Sequence, residues 1–217
     1  MKKYLCIVFI LFVTLYSLLN IRTVNAFLPL SGKVIVVDPG HGGKDPGTNY
    51  GDLLEKDINL SISKKLENEL TKNGAIVILT REGDYDLSKA NATYRKKSDF
   101  DNRISIINTY ADLYLSIHLN YLNETEYKGA QVFYNKDNKI LANVIQNELN
   151  DRLKGDREIK KIPTSTYMYN KLQPSGVLIE CGFLSNNAER NLLKTEKHQE
   201  KIASTIAKAI VLYYQNL

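Results

Sequence analysis

The sequence predicts an α/β fold: a mostly parallel, twisted sheet of about five to six strands, flanked by helices on both faces. Three observations carry that reading. Short apolar, β-branched runs recur along the chain. They alternate with segments whose apolar residues repeat at helical spacing. The runs are continuously apolar rather than alternating, as expected of strands covered on both faces.

The elements follow in order. Lys33 to Val37 (KVIVV) reads as a strand ending at the turn Asp38-Pro39-Gly40. Residues 38–56 are rich in Gly, Asp and Pro and form a long loop of the kind that carries function. Asp57 opens a helix whose apolar face is Ile58, Ile62, Leu66 and Leu70, with Gly74 at its stop. Ala75 to Leu79 is a second buried strand, and residues 81–97 are polar and irregular. Ser98 caps a helix to Tyr110 with Phe100, Ile104 and Ile107 on one face. Leu113 to Ile117 is a third strand ending at His118, and Ala130 to Tyr134 a fourth. Asn138 to Leu153 is helical, with Ile140, Leu141, Val144, Ile145 and Leu149 inward. Val177 to Ile179 is a fifth strand ending at Glu180, and a last helix spans Lys197 to Tyr214.

The first 26 residues differ from the rest. Met1-Lys2-Lys3 is a positive start, Leu5 to Leu19 an apolar run broken only by Thr14 and Ser17, and Val24-Asn25-Ala26 has small or apolar residues at the two positions a signal peptidase reads. This is an export signal, or an uncleaved anchor tethering the chain to the membrane through residues 4–21. Residues 33–217 form one domain. Without residues 1–26 the chain has 26 Lys and Arg against 24 Asp and Glu, or +2. That balance is no nucleic-acid footprint. Of two cysteines, Cys6 lies in the apolar start, so a cleaved chain has no internal disulfide.

Ligands of open α/β sheets bind beyond the carboxyl ends of the strands. His41 and Glu55 lie in the loop after the first strand, His118 follows the third, and Glu180 follows the fifth. Two imidazoles and a carboxylate with an open position suit a catalytic zinc. A second carboxylate can serve as general base. Each residue alone has an ordinary structural explanation: turn, core histidine, helix-end charge or strand-end carboxylate. Glu180, set between Val-Leu-Ile and Cys-Gly-Phe-Leu, is the hardest to explain that way, because a carboxylate among apolar neighbours needs a partner or a task. Gly40-His41-Gly42-Gly43-Lys44 is no phosphate loop, since Asp38 and Asp45 stand where Gly and Ser or Thr are needed. His198 reads as helix surface, and Tyr167-Met168-Tyr169 as packing or the wall of a sugar groove.

Val36 to Gly43 (VVDPGHGG), Glu55 before a helix, Ser116 to Asn120 (SIHLN) and Glu180 to Asn186 (ECGFLSN) resemble the zinc-dependent N-acetylmuramoyl-L-alanine amidases of the Amidase_3 family, over nearly all of residues 33–215. The resemblance implies one zinc ion held by His41, Glu55 and His118, with Glu180 as the catalytic carboxylate. It implies peptidoglycan as substrate, with Arg103 and Asn120 against it and Asn108 in the same polar helix signature. Arg103 bracing the helix instead is the structural alternative. Arg95 to Arg103 and Gly129 to Tyr134 are similar to the CwlD-type branch, which acts in spore cortex on the route to muramic-δ-lactam needed for germination. Alternatives are a general cell-wall amidase, a non-catalytic wall-binding module and a zinc peptidase cutting within the stem. No residue points to a protein activator, although one that orders residues 41–55 is conceivable.

Overall fold

The computed structural model of the chain describes residues 28–217; the expected export signal or anchor at residues 1–26 lies outside them. The chain order is β1 (Val34–Pro39), β2 (Asn49–Tyr50), β3 (Leu53–Leu54), α1 (Glu55–Lys72), β4 (Ile76–Leu79), α2 (Arg95–Tyr110), β5 (Leu113–Asn120), β6 (Gln131–Tyr134), α3 (Lys139–Leu153), β7 (Lys160–Lys161), a 3₁₀ turn (Tyr169–Lys171), β8 (Ser175–Phe183), α4 (Asn187–Leu193) and α5 (Glu196–Gln215).

Six strands form one sheet in the order β4-β1-β5-β8-β6-β7. β4, β1, β5 and β8 are parallel, and β6 runs antiparallel to β8. From β1 the chain pairs outward to β4, then returns to pair β5 on the other side. The carboxyl ends of β1 and β5 therefore flank a point where the winding reverses, the usual place for a ligand crevice.

Successive residues of β1 face opposite layers. Ile35 and Val37 join a core with Leu115, Ile117, Ile179 and the apolar stripes of α1, α3 and α5. Val36 joins a smaller core with Tyr114, Ile107, Met168 and Tyr169, against which Phe100 and Ile104 pack. Burial of such side chains stabilises by about 1.5–3 kcal/mol each.

Several expected boundaries move. α1 begins at Glu55, not Asp57, and the Glu55 N–H, which has no partner within the helix, bonds Thr48 O (3.0 Å). α2 begins a turn before Ser98, whose Oγ accepts from Lys89 N instead of capping a helix. Ile76 is 58% exposed, since β4 is an edge strand. Ile140 is 71% exposed, because the buried stripe of α3 runs through Leu141, Ala142, Ile145, Gln146 and Leu149. The expected last helix is α5, and a further short helix, α4, precedes it; Asn186 caps α4 at Glu189 N and Thr195 caps α5 at His198 N.

Candidate metal centre

β1 ends at Pro39, and the chain turns through Gly40 into His41. Gly40 N donates to Ile117 O at 2.9 Å, so the loop runs tight against β5. A Cβ on Gly40 would sit 2.2 Å from His118 Cε1, so only glycine lets the backbone pass the imidazole. His41 itself has φ 62°, in the left-handed region. Holding a residue there costs on the order of 1–3 kcal/mol and marks a functional constraint. The conformation is pinned: His41 O accepts from Arg103 Nη2 (2.6 Å), and Gly42 and Asp45 exchange two backbone hydrogen bonds (2.9 and 3.0 Å). Gly47 (φ +67°) completes the loop, where a Cβ would come within 2.6 Å of Glu55 Oε2.

The β2–β3 hairpin delivers Glu55 as the first residue of α1. Its Oε1 lies 3.2 Å from His41 Nε2 and 3.1 Å from His118 Nδ1. The same oxygen accepts from Leu119 N (3.1 Å) and Asn59 Nδ2 (3.2 Å), while Oε2 accepts from Thr48 N (2.8 Å). His41, Glu55 and His118 each offer a ligand atom, and these atoms lie within 4.8 Å of one another. Glu180 is the register partner of His118 across the parallel β5–β8 pair, and β8 carries an extra residue between Glu180 and Phe183, opposite His118–Asn120 of β5. Glu180 Oε2 is buried with no hydrogen-bond partner among the described residues. A buried carboxylate oxygen left unpaired is costly and marks a task rather than packing.

The charges agree with this picture. Burial opposes ionisation of Glu55, but hydrogen bonds from His118 and His41 hold its carboxyl well below the usual range. Burial also opposes a charge on His41, yet hydrogen bonds to Asp45 and Glu55 outweigh it and push its pKa up to about 9. Asp45 Oδ2, 3.1 Å from His41 Nδ1, orients the ring from behind. Glu180 moves the other way: burial first, then the Glu55 charge, push its pKa up to about 8. Two carboxyls in one site with opposite shifts is the pattern of divided roles.

Behind the loop lies a buried ionic network. Arg103, 2% exposed, donates to Asp99 Oδ2 (3.0 Å), Asp38 Oδ1 (2.6 Å), Pro39 O (2.8 Å) and His41 O (2.6 Å). Asp38 also accepts from Thr80 (2.6 Å) and Ser116 (2.8 Å), and Ser116 bonds the Tyr169 hydroxyl (3.0 Å). Arg81, 1% exposed, donates to Pro39, Gly40 and Lys56 carbonyls. The resemblance implied Arg103 against substrate, with bracing as the alternative; four of its five donors bond protein groups, one of them His41 O in the loop. Asn108 holds Lys171 O and Gln173 N, a structural tie far from that role. Asn120 does reach the site: it lines the open cleft of about 440 Å³ with His41, Glu55, His118, Tyr121 and Glu180. A deeper cavity of about 240 Å³ meets His41, Phe100, Arg103, Met168, Tyr169 and Glu180. Met168 and Tyr169 are buried, so they form that inner wall rather than an exposed sugar groove. His198 is half-buried on α5 and takes no part.

Asp38, Asp45, Asn59 and Arg81 were not singled out from sequence as site residues. Asn59 stands one helical turn after Glu55, and Arg81 is the second residue past β4, so helical spacing and the strand-end rule both pointed to them.

Comparison with known proteins agrees with this geometry. Residues 35–211 match the Amidase_3 family, described as N-acetylmuramoyl-L-alanine amidase. The chain is 44% identical over 195 residues to the germination-specific N-acetylmuramoyl-L-alanine amidase of Bacillus subtilis, covering 86% of this chain and 82% of that protein. It is 33% identical to the amidase LytC of the same organism, covering 36% of that longer protein. Among solved structures, the CwlD amidase of Clostridioides difficile, determined in complex with the GerS lipoprotein, superposes with TM-score 0.79 at 42% identity, covering 85% of this chain and 98% of that one. A match running from β1 into α5 carries the whole sheet and every strand end described above, and on it the chain belongs to the Amidase_3 family of N-acetylmuramoyl-L-alanine amidases.

Proposed function

We propose that the chain is a zinc-dependent N-acetylmuramoyl-L-alanine amidase of spore cortex, hydrolysing the amide between the muramic acid lactyl group and L-alanine on the route to muramic-δ-lactam. The observation that carries this is the meeting of His41, Glu55 and His118 within 4.8 Å beside the unpartnered Glu180. Two imidazoles and one carboxylate with an open side fit a single catalytic zinc. Bound there, zinc would supply Lewis acidity and a water of lowered pKa.

The chain's own residues do the rest. Asp45 fixes the His41 ring, and Asn59, Thr48 N and Leu119 N fix the Glu55 carboxylate. Glu180 removes a proton from the attacking water as the new C–O bond forms. It then delivers that proton to the alanine nitrogen as the C–N bond breaks, leaving a free lactyl carboxylate and a free amine. Its raised pKa suits both halves of that exchange. Asn120, on the rim of the open cleft, is placed to touch substrate.

The germination-specific relative supports the cortex assignment, and the export pattern of residues 1–26 supports work in the cell envelope, by secretion or by a membrane tether. Residues 33–217 constitute the single catalytic domain. The complex formed by the C. difficile relative with a lipoprotein supports a protein partner here as well.

The test is mass spectrometry of spore peptidoglycan digested with the zinc-loaded chain. Release of intact stem peptides with free muramic carboxyl is expected. Glu180→Gln should lower the rate about 10²–10⁴-fold. Cleavage within the stem would instead identify a peptidase, and undiminished activity of Glu180→Gln would remove the general base.

A further inference from the structure

Beside the catalytic cleft lies a second one, of about 590 Å³, and the two share Tyr121 as a wall. The rings of Tyr50 and Tyr121, 53% and 45% exposed, are part of its lining, with Thr125, Ser185 and Asn186 adding polar groups. Arg190, only 6% exposed, also lines it. Its guanidinium donates to Leu184 O (2.7 Å), Ser185 O (3.3 Å) and Asn187 Oδ1 (2.9 Å), all neutral acceptors. Tyr50 stacks over it, 3.5 Å from guanidinium carbon to ring centroid. Among the described residues no carboxylate lies within ion-pair distance of it. Its neighbour Glu189 is turned away, accepting from Gly129 N and Phe183 N. The contrast with Arg103 is direct, since that equally buried cation has two aspartates.

A buried cation with only neutral partners is costly to keep. Tyr50 offsets part of that through cation–π attraction but adds no negative charge. The remaining compensation must come from the cleft. Resting on the amidase reading, we propose that Arg190 is a specificity residue at the floor of a carboxylate subsite, and that this subsite takes the stem peptide. The substrate is asymmetric in charge. Its glycan half offers hydroxyl and acetamide groups, whereas its peptide half carries free carboxylates beyond L-alanine. A positive cleft joined to the catalytic one therefore selects the peptide half. The stem then runs past Tyr121 towards Tyr50, and the glycan lies on the other side of the metal group. Amidation of the second stem residue removes one such charge and reports on the subsite.

The experiment measures binding, so it does not depend on turnover. Two product peptides are titrated calorimetrically into the full chain: the stem peptide with a free carboxylate at its second residue, and the same peptide amidated there. The acid should bind about tenfold more tightly, as expected of one charge-assisted hydrogen-bonded pair. Arg190→Gln should abolish the difference by weakening the acid alone. Arg190→Lys, which keeps the charge without the planar fork, should retain part of it. Equal binding of the two peptides to the unmodified chain would overturn the proposal, and needs no variant to fold. So would a preference that survives in Arg190→Gln, or a loss equal for both peptides, since a residue that merely pins Tyr50 would produce that. A chain that keeps the preference yet releases no stem peptide from peptidoglycan would count against the amidase reading and leave the subsite standing.

Discussion

Replacing Arg103 by methionine keeps the length and apolar stem of the side chain and removes its charge. The side chains of Arg103 and Asp38 are 2% and 1% exposed, so solvent does not screen the change. The variant strands Asp38 as a buried carboxylate whose remaining donors are Thr80 and Ser116. Breaking one partner of a buried pair costs about 3–5 kcal/mol. Set against a total of about 5–15 kcal/mol, that is a large share of the stability. At about 2–4 °C per kcal/mol for a domain this size, Tm should fall by about 6–20 °C. Arg103 also holds His41 O, the anchor of a backbone at φ 62°. Releasing it should weaken metal affinity about 10–100-fold, the range for outer partners of metal ligands. Thermal unfolding by circular dichroism and zinc titration against a competing chelator measure the two effects. The double variant Asp38→Asn/Arg103→Met should recover part of the stability, because the stranded charge is gone. A single-variant loss under about 1 kcal/mol with unchanged zinc affinity would refute the bracing argument, since it would match an ordinary surface pair.

Three further outcomes follow from the same geometry. Gly40→Ala places a methyl 2.2 Å from His118 Cε1, so zinc affinity should drop at least 10–100-fold while the far-ultraviolet dichroism stays unchanged, and retained affinity would contradict the packing argument. His41 has its pKa pushed up to about 9 against burial, by Asp45 and Glu55, so metal must displace its proton. Calorimetry in buffers of different ionisation enthalpy should therefore show about one proton released per metal at neutral pH, with affinity falling about tenfold per pH unit below that pKa. The third concerns stability in chelator. Glu180 has a folded pKa of about 8 against an ordinary 4.5, so its contribution is fully present below pH 4.5 and is lost as pH rises through about 8. Glu180→Gln should flatten that decline in denaturant titrations from pH 5 to 9, and an unaltered slope would show that another group is responsible.

Much of the architecture was readable because strand and helix periodicities are local. Val34 to Val37 is a continuous apolar run and Leu113 to Ile117 one broken only by Ser116, and each proved to be a parallel strand of the core. His118 and Glu180 were readable for a related reason: the carboxyl-terminal part of a parallel strand borders the crevice, although β5 and β8 run two to three residues beyond them. Contacts between distant segments were harder. The resemblance put Arg103 against substrate, with bracing of the helix as the alternative, and only the fold shows Asp38 from β1 beside it. Ile140 and Ile76 are apolar yet exposed, since burial depends on the neighbouring layer and not on the side chain alone. The β2–β3 hairpin and β7 are two residues each, too short to show a period. Arg190 gave no signal at all, because an arginine in a short helix near a strand end is ordinary until its partners prove neutral.

The most direct measurement is the crystal structure of the zinc-soaked chain with anomalous data collected at the zinc edge. One strong peak is expected, bonded by His41, Glu55 and His118, with Glu180 beside it but not bound and a further position open to solvent. A peak elsewhere, or His41 and His118 on different ions, would contradict it.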